Sequence, residues 1–126
     1  HGGVTFGPTT EKIFSKKINR KMKRLALFSA LSRKLADDEI KIVDSMEIKD
    51  AKTKNIRNLV AGVSGGKDEN ALLVYGGKDK RFKLAAKNLG GVSAISPLSL
   101  NIYDILNKKY LILDQESVSA IDKHYK

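Results

Sequence analysis

Apolar and polar positions change rhythm several times along this chain, and each change marks an element. Between Arg20 and Ala36 there is neither Gly nor Pro, and Asn19 stands where a helix cap belongs. At 100° per residue, Arg20, Arg24, Leu27, Leu31 and Leu35 share one side. The predicted helix therefore changes character along its axis. Its first turns are basic at nearly every position except Met22. Its second half is apolar at Leu25, Leu27, Phe28, Leu31 and Leu35, and the small residues Ala26, Ser29 and Ala30 allow close packing. Such a helix is half sunk in a core and half projecting, with the cations on the projecting half.

After Asp37-Asp38-Glu39 the spacing shortens. Ile40 to Asp44 reads as a strand and Thr53 to Ala61 as a short helix. Ala71-Leu72-Leu73-Val74-Tyr75 is a continuous apolar run suited to a strand buried on both faces. Gly76-Gly77 turns into a helix from about Asp79 to Leu89, closed by Gly90-Gly91. Val92 to Ser96 is a third strand, stopped by Pro97; Asn101 caps a short helix through Leu106; Tyr110 to Leu113 is a fourth strand; Ser117 to Tyr125 is a last helix. Strands alternating with helices at this spacing imply an α/β fold, a parallel sheet with helices on its faces. The first stretch, Gly2 to Thr10, holds three glycines and a proline and should be irregular or extended. Lys12 to Ile18 reads as a short helical turn or as more extended chain. The division that follows is a basic arm over residues 1–18 and an α/β domain over residues 19–126.

Charge sharpens this picture. The 126 residues carry a net charge of +10, with 41% hydrophobic and 30% charged residues, so the chain is globular with a core of its own. Nine basic side chains stand against Glu11 alone between Glu11 and Lys34, whereas Ala36 to Lys126 has 15 basic and 13 acidic residues. A polycationic arm coupled to a packed body suits a polyanion, where each phosphate contact releases condensed counterions. The absence of cysteine excludes disulfides and thiolate zinc sites and fits a reducing compartment. No apolar run approaches the ~18 residues of a transmembrane helix. The start, His1-Gly2-Gly3-Val4, has neither an initiator Met nor a signal-peptide pattern and reads as the interior of a longer chain.

Other motifs carry less. Ser64-Gly65-Gly66-Lys67-Asp68 looks like the phosphate loop of ATP pyrophosphatases, but that loop follows a strand and opens a helix. Here it follows a helix and precedes a strand, and Glu69 replaces a hydroxyl residue, so a solvated turn fits better. Gly76-Gly77 lies after a strand and before a helix but lacks the third glycine of a dinucleotide fingerprint and any following Lys-Ser/Thr. His1 and His124 have no Cys or nucleophilic Ser motif beside them, so no catalytic set assembles. Asp37-Asp38-Glu39 reads as a solvated helix end in preference to a metal site, and Tyr103 and Asp104 read as packing and capping residues. Phe6 and Phe14 either stack on unpaired bases or fold back on the body.

Taken in order, Gly2-Gly3-Val4-Thr5-Phe6-Gly7-Pro8 and Lys21-Met22-Lys23-Arg24-Leu25-Ala26-Leu27-Phe28-Ser29-Ala30-Leu31-Ser32 resemble the bacterial large-subunit ribosomal protein L-four family. Ile42-Val43-Asp44, Lys52-Thr53-Lys54, Leu84 to Leu89 and Leu100-Asn101-Ile102-Tyr103-Asp104-Ile105-Leu106 extend the resemblance over essentially the whole chain. The resemblance implies a three-layer α/β/α domain with a parallel four-stranded sheet of order 1-4-2-3. It also implies binding to large-subunit ribosomal RNA, support of subunit assembly, and a long loop reaching the polypeptide exit tunnel. His1 to Pro8 corresponds to the returning end of that loop, with its outgoing half, its tip and the preceding N-terminal segment lying outside this chain. Asn19 stands where many relatives have proline. Some bacterial members repress their own operon through its messenger RNA.

The expectation is a structural, non-enzymatic protein of the cytoplasmic ribosome, without cofactor, metal or membrane. Its partners would be large-subunit ribosomal RNA, neighbouring ribosomal proteins and its own messenger. The expected RNA-binding residues are Gly2, Gly3, Thr5, Phe6, Gly7, Lys12, Phe14, Lys16, Lys17, Arg20, Lys21, Lys23, Arg24, Arg33 and Lys34. Glycines let the arm's backbone approach RNA, cations bridge phosphates, and the two phenylalanines serve as wedges or stacking groups. Two readings from other classes compete: a nucleotide-binding enzyme using Gly65-Gly66 or Gly76-Gly77, and a membrane-surface protein using the basic helix. The apolar residues of that helix are too evenly spread for an interfacial face, which ranks the membrane reading last.

Overall fold

The structure, a computed structural model, describes residues 2–46, 52–66, 70–77 and 80–125. In chain order it contains α1 (Arg20–Ala36), β1 (Ile40–Val43), α2 (Thr53–Ser64), β2 (Ala71–Val74), α3 (Lys80–Lys87), β3 (Val92–Ile95), a 3-10 turn (Pro97–Ser99), α4 (Ile102–Asn107), β4 (Tyr110–Asp114) and α5 (Gln115–Tyr125). The four strands form one sheet in the order β1-β4-β2-β3. Every pairing is parallel, with Leu72 opposite Leu111 and Val74 opposite Leu113 across the central pair. Both the α/β class and the strand order agree with expectation.

The period-2 alternation of the central strands separates two cores. Ala71, Leu73 and Ile112 point to one face, where Ile56 and Val60 of α2 and Phe82, Ala85 and Ala86 of α3 cover them. Leu72, Val74, Leu111 and Leu113 point to the other, against Leu27 and Ala30 of α1, Ile105 of α4 and Ile121 and Tyr125 of α5. All four residues of β2 are fully buried, as a strand covered by helices on both sides must be. The edge strands β1 and β3 carry Lys41 and Ser93 among their apolar residues and are less covered.

Several boundaries and caps differ from the sequence reading. Asn19 sits at the N-cap of α1 with extended backbone, but its side chain makes no cap hydrogen bond. Asn101 does cap α4, its Oδ1 accepting the Asp104 N–H at 2.8 Å. α2 runs one turn further than Ala61. It is closed by Gly65 and Gly66, both left-handed (φ 69° and 76°), with the Gly66 N–H donating to Ala61 O at 2.9 Å. The Ser64-Gly65-Gly66 motif is thus the C-terminal cap of a helix; Lys67, Asp68 and Glu69 lie outside the described residues, as do His1 and Asp79. α3 stops at Lys87, two residues before Leu89, and Gly90-Gly91 falls in the turn to β3, where the Val92 N–H donates to Leu89 O.

Candidate nucleic-acid interface

Residues 2–19 have neither helix nor strand, and all of them are exposed. Their only local order is a turn at Thr5-Phe6 and another at Thr10-Glu11, with the Lys12 N–H 3.3 Å from Thr9 O. Too few apolar side chains stand close enough together here to close a core, so the chain runs out from the body. Phe6 is 95% and Phe14 80% exposed, so neither folds back on the domain. Phe14 has the Lys12 ammonium 5.4 Å from its ring centroid, a cation–π arrangement at the surface. Gly2, at φ 24°, and Gly3 have nothing within 4 Å of where a Cβ would stand, and Gly7 meets only Val4 at 3.9 Å. Nothing in this chain's own packing requires these glycines.

α1 carries the cations onward. Arg20 to Ala26 are all exposed, and Leu27 is the first buried residue. From there the buried stripe is Leu27, Ala30 and Lys34, with Leu31 half-buried, a spacing of three and four that selects one helix face. Leu25, Phe28 and Leu35 face outward, so less of the apolar half is sunk than the composition suggests. Among the described residues no carboxylate lies in salt-bridge range of Lys16, Lys17, Arg20, Lys21 or Lys23. With Lys12 and Arg24 they make a continuous basic surface from the arm into the first two turns of the helix.

Arg33 and Lys34 are placed differently. Arg33 Nε pairs with Asp37 Oδ2 at 2.8 Å, an exposed i,i+4 pair worth about 0.3–0.5 kcal/mol. Lys34 is turned inward. It is 8% exposed, and its ammonium donates to Glu39 Oε2 at 2.5 Å and to the carbonyl oxygens of Lys108 and Lys109 at 2.8 Å each. An ammonium has three protons, and all three are spent inside the protein, so Lys34 has none to offer a phosphate.

The Gly76-Gly77 loop is likewise occupied by the chain itself. The Gly76 N–H donates to Asp114 Oδ2 at 3.2 Å, and Asp114 Oδ1 accepts the Ser117 N–H at 2.7 Å. Asp114 is buried, and the Ser117 hydroxyl donates to Val74 O at 2.9 Å. An internal carboxylate therefore stands at the loop where a phosphate would need to be. A Cβ on Gly77 would come within 2.0 Å of the Tyr75 ring, which itself stacks on Phe82 at 4.5 Å. Packing, not ligand approach, accounts for these glycines. The acidic triplet is also spoken for: Asp37 by Arg33, Asp38 by Lys41 at 3.0 Å, and Glu39 by Lys34. No helix among the described residues is long and apolar enough to cross a membrane.

The structure adds one feature that reading along the chain missed. Beneath Arg20 and Lys23 lies an open cleft of about 530 Å³, floored by Leu27 and Leu100 and walled by Ile18, Ile102 and Tyr125. The Tyr125 hydroxyl donates to Leu100 O at 3.0 Å, tying α5 to the loop before α4, and burial raises its phenol above the ordinary 10.0. These residues come from three distant stretches, and no local pattern marks them as neighbours.

Comparison with known proteins adds a last finding. The family described as "Ribosomal protein L4/L1 family" matches residues 1–124. The chain is 41% identical over 121 residues to a large ribosomal subunit protein uL4 of Desulfatibacillum aliphaticivorans, covering 96% of this chain and 57% of that protein. It is 34% identical over 122 residues to the protein of that name from Desulforudis audaxviator, covering 97% and 58%. With the one from Spiroplasma kunkelii it shares 32% over 124 residues, covering 98% and 59%. The chain thus spans less than three-fifths of the length of these curated relatives.

Proposed function

Because this chain belongs to the ribosomal protein L4/L1 family, we propose that it is a non-enzymatic structural component of the large ribosomal subunit that binds large-subunit ribosomal RNA. The arm over residues 1–18 and the first turns of α1 are the RNA-binding surface, and the remainder of residues 19–126 is its anchor. One observation carries this reading: Lys16, Lys17, Arg20, Lys21 and Lys23 form a run of exposed cations with no carboxylate partner among the described residues. Leaving like charges uncompensated along one projection disfavours the free protein, and an outside polyanion offsets that cost. Lys12 and Arg24 extend that run, and Arg33, further along α1, keeps an exposed guanidinium only weakly paired with Asp37. Gly2, Gly3 and Gly7, which no internal contact requires, leave the backbone near Thr5 open to close approach by RNA. Phe6 and Phe14 are free to stack on bases.

The role extends to subunit assembly, to the neighbourhood of the polypeptide exit tunnel, and to contacts with adjacent ribosomal proteins in the cytoplasmic ribosome. The same surface would also bind the chain's own messenger RNA. Crosslinking in assembled particles tests the tunnel placement.

Salt titration tests the RNA reading itself. If about six cations meet phosphate, log K for a large-subunit ribosomal RNA transcript falls against log salt with a slope of roughly −4 to −5. The triple variant Arg20→Gln, Lys21→Gln, Lys23→Gln should lower that slope by about 2–3 without lowering the melting temperature. Salt-insensitive binding overturns the proposal, and unfolding of the triple variant makes these residues structural.

A further inference from the structure

We infer that the cleft beneath Arg20 and Lys23 is a pocket for a single unpaired nucleotide, extruded from the RNA whose backbone runs along α1. This rests on the RNA-binding reading above and adds to it a site and a ligand class. The cleft's volume of about 530 Å³ falls in the roughly 300–1,000 Å³ range of small-molecule sites. Its floor is apolar: Leu27 and Leu100 are buried on the protein side, with Ile18 and Ile102 as walls. Its rim is cationic, Arg20 and Lys23 both being exposed. An apolar floor under a positively charged rim matches a nucleotide, a flat π-face joined to a phosphate.

Two further observations favour this ligand over other amphipathic anions. The rim cations are not isolated; they continue into Lys16, Lys17 and Lys21, so a strand held along the arm and helix passes over the mouth of the cleft. The walls are also pre-set. The Tyr125 hydroxyl is held by Leu100 O, and His124 packs edge-on to the Tyr125 ring at 4.7 Å. The Asn101 amide donates to Asp104 Oδ2 at 2.6 Å while its Oδ1 caps α4. With the Tyr125 hydroxyl and the Asn101 amide engaged inside the protein, the cleft reads mainly shape and stacking surface, so little preference among bases is expected. Duplex RNA cannot supply such a nucleotide without unpairing it, so the cleft selects single-stranded or bulged RNA.

Methyl-labelled NMR on the chain as it stands separates the outcomes. The probes are a six-nucleotide single-stranded oligouridine and a blunt RNA duplex of the same length. Both should bind with strong salt dependence, but only the single strand should shift the Leu27, Leu100 and Ile102 methyl signals. Ile102→Trp, which fills the cleft, should lower single-strand affinity at least about fivefold, the low end of one stacked base, and leave duplex affinity unchanged. Ile18→Ser, on the exposed arm, should lower it in the same direction without risk to the fold. Single-strand binding that leaves those methyls in place overturns the pocket while the RNA reading stands. Failure of both RNAs to bind overturns the reading beneath it. Methyl shifts produced by anionic phosphatidylserine vesicles and not by oligouridine would assign the cleft to lipid instead, and the proposal would fall.

Discussion

Lys34 and its neighbours show how little a residue's type decides on its own. Ten positions separate Arg24 from Lys34 on the same helix, yet one projects into solvent and the other is enclosed. The difference is the helix face: Lys34 falls on the stripe of Leu27 and Ala30, and there its aliphatic stem packs while its ammonium meets one carboxylate and two carbonyls. Removing such a partner strands a mostly buried carboxylate and two carbonyl oxygens. Lys34→Ala is therefore expected to lower unfolding free energy by about 2–3 kcal/mol, measured by urea denaturation, with the salt slope of RNA binding unaltered. A loss of RNA affinity without a loss of stability would place Lys34 back among the phosphate contacts. None of this is legible at the residue itself, because its carbonyl partners lie 74 and 75 positions away.

At the scale of elements, the boundaries followed from local chemistry and the exceptions have local reasons. β2 announced itself as a continuous apolar run, and α1 as a helix-compatible stretch from Arg20 to Ala36 that turns from basic to apolar along its length. α2 outran its expected end because the two left-handed glycines that close it sit at 65 and 66, beyond a stretch that remains helix-compatible through Ser64. The two asparagine caps divide cleanly. Asn101 accepts a backbone N–H and holds the Asp104 carboxylate, whereas Asn19 makes no such bond and leads in from exposed chain. Asn101→Ala should cost about 1 kcal/mol in thermal or urea unfolding, and Asn19→Ala only a few tenths. Equal costs would mean that Asn19 caps α1 in solution after all.

The whole molecule is electrically lopsided, and salt should act on it in two opposite senses. Net charge is +10, concentrated on the arm and the start of α1. Screening relieves self-repulsion in the free protein, so raising salt from 0.05 M to 0.3 M should lift its melting temperature by about 2 °C while RNA affinity collapses. A melting temperature that falls over this range would show that the cations are paired within the fold. The parallel α/β character was legible from alternating strands and helices. Strand order was not, since periodicity cannot say which strand lies beside which; it came with the family resemblance. The basic surface was legible as a charge run. The cleft was not, because Ile18, Leu100 and Tyr125 meet only once the sheet has formed.

The clasp at Lys34 has a mechanical corollary. It bolts the far end of α1 to the start of β4, so the basic turns overhang the body like a cantilever with a stiff root. Under the proposed function, the freedom lost on binding RNA would be confined to residues 2–19, at about 1–2 kcal/mol of backbone entropy per residue fixed. A shortened chain beginning at Ile18 would forfeit Lys12, Lys16 and Lys17 but also escape that ordering. Its grip on RNA would weaken by less than three lost positive charges alone imply.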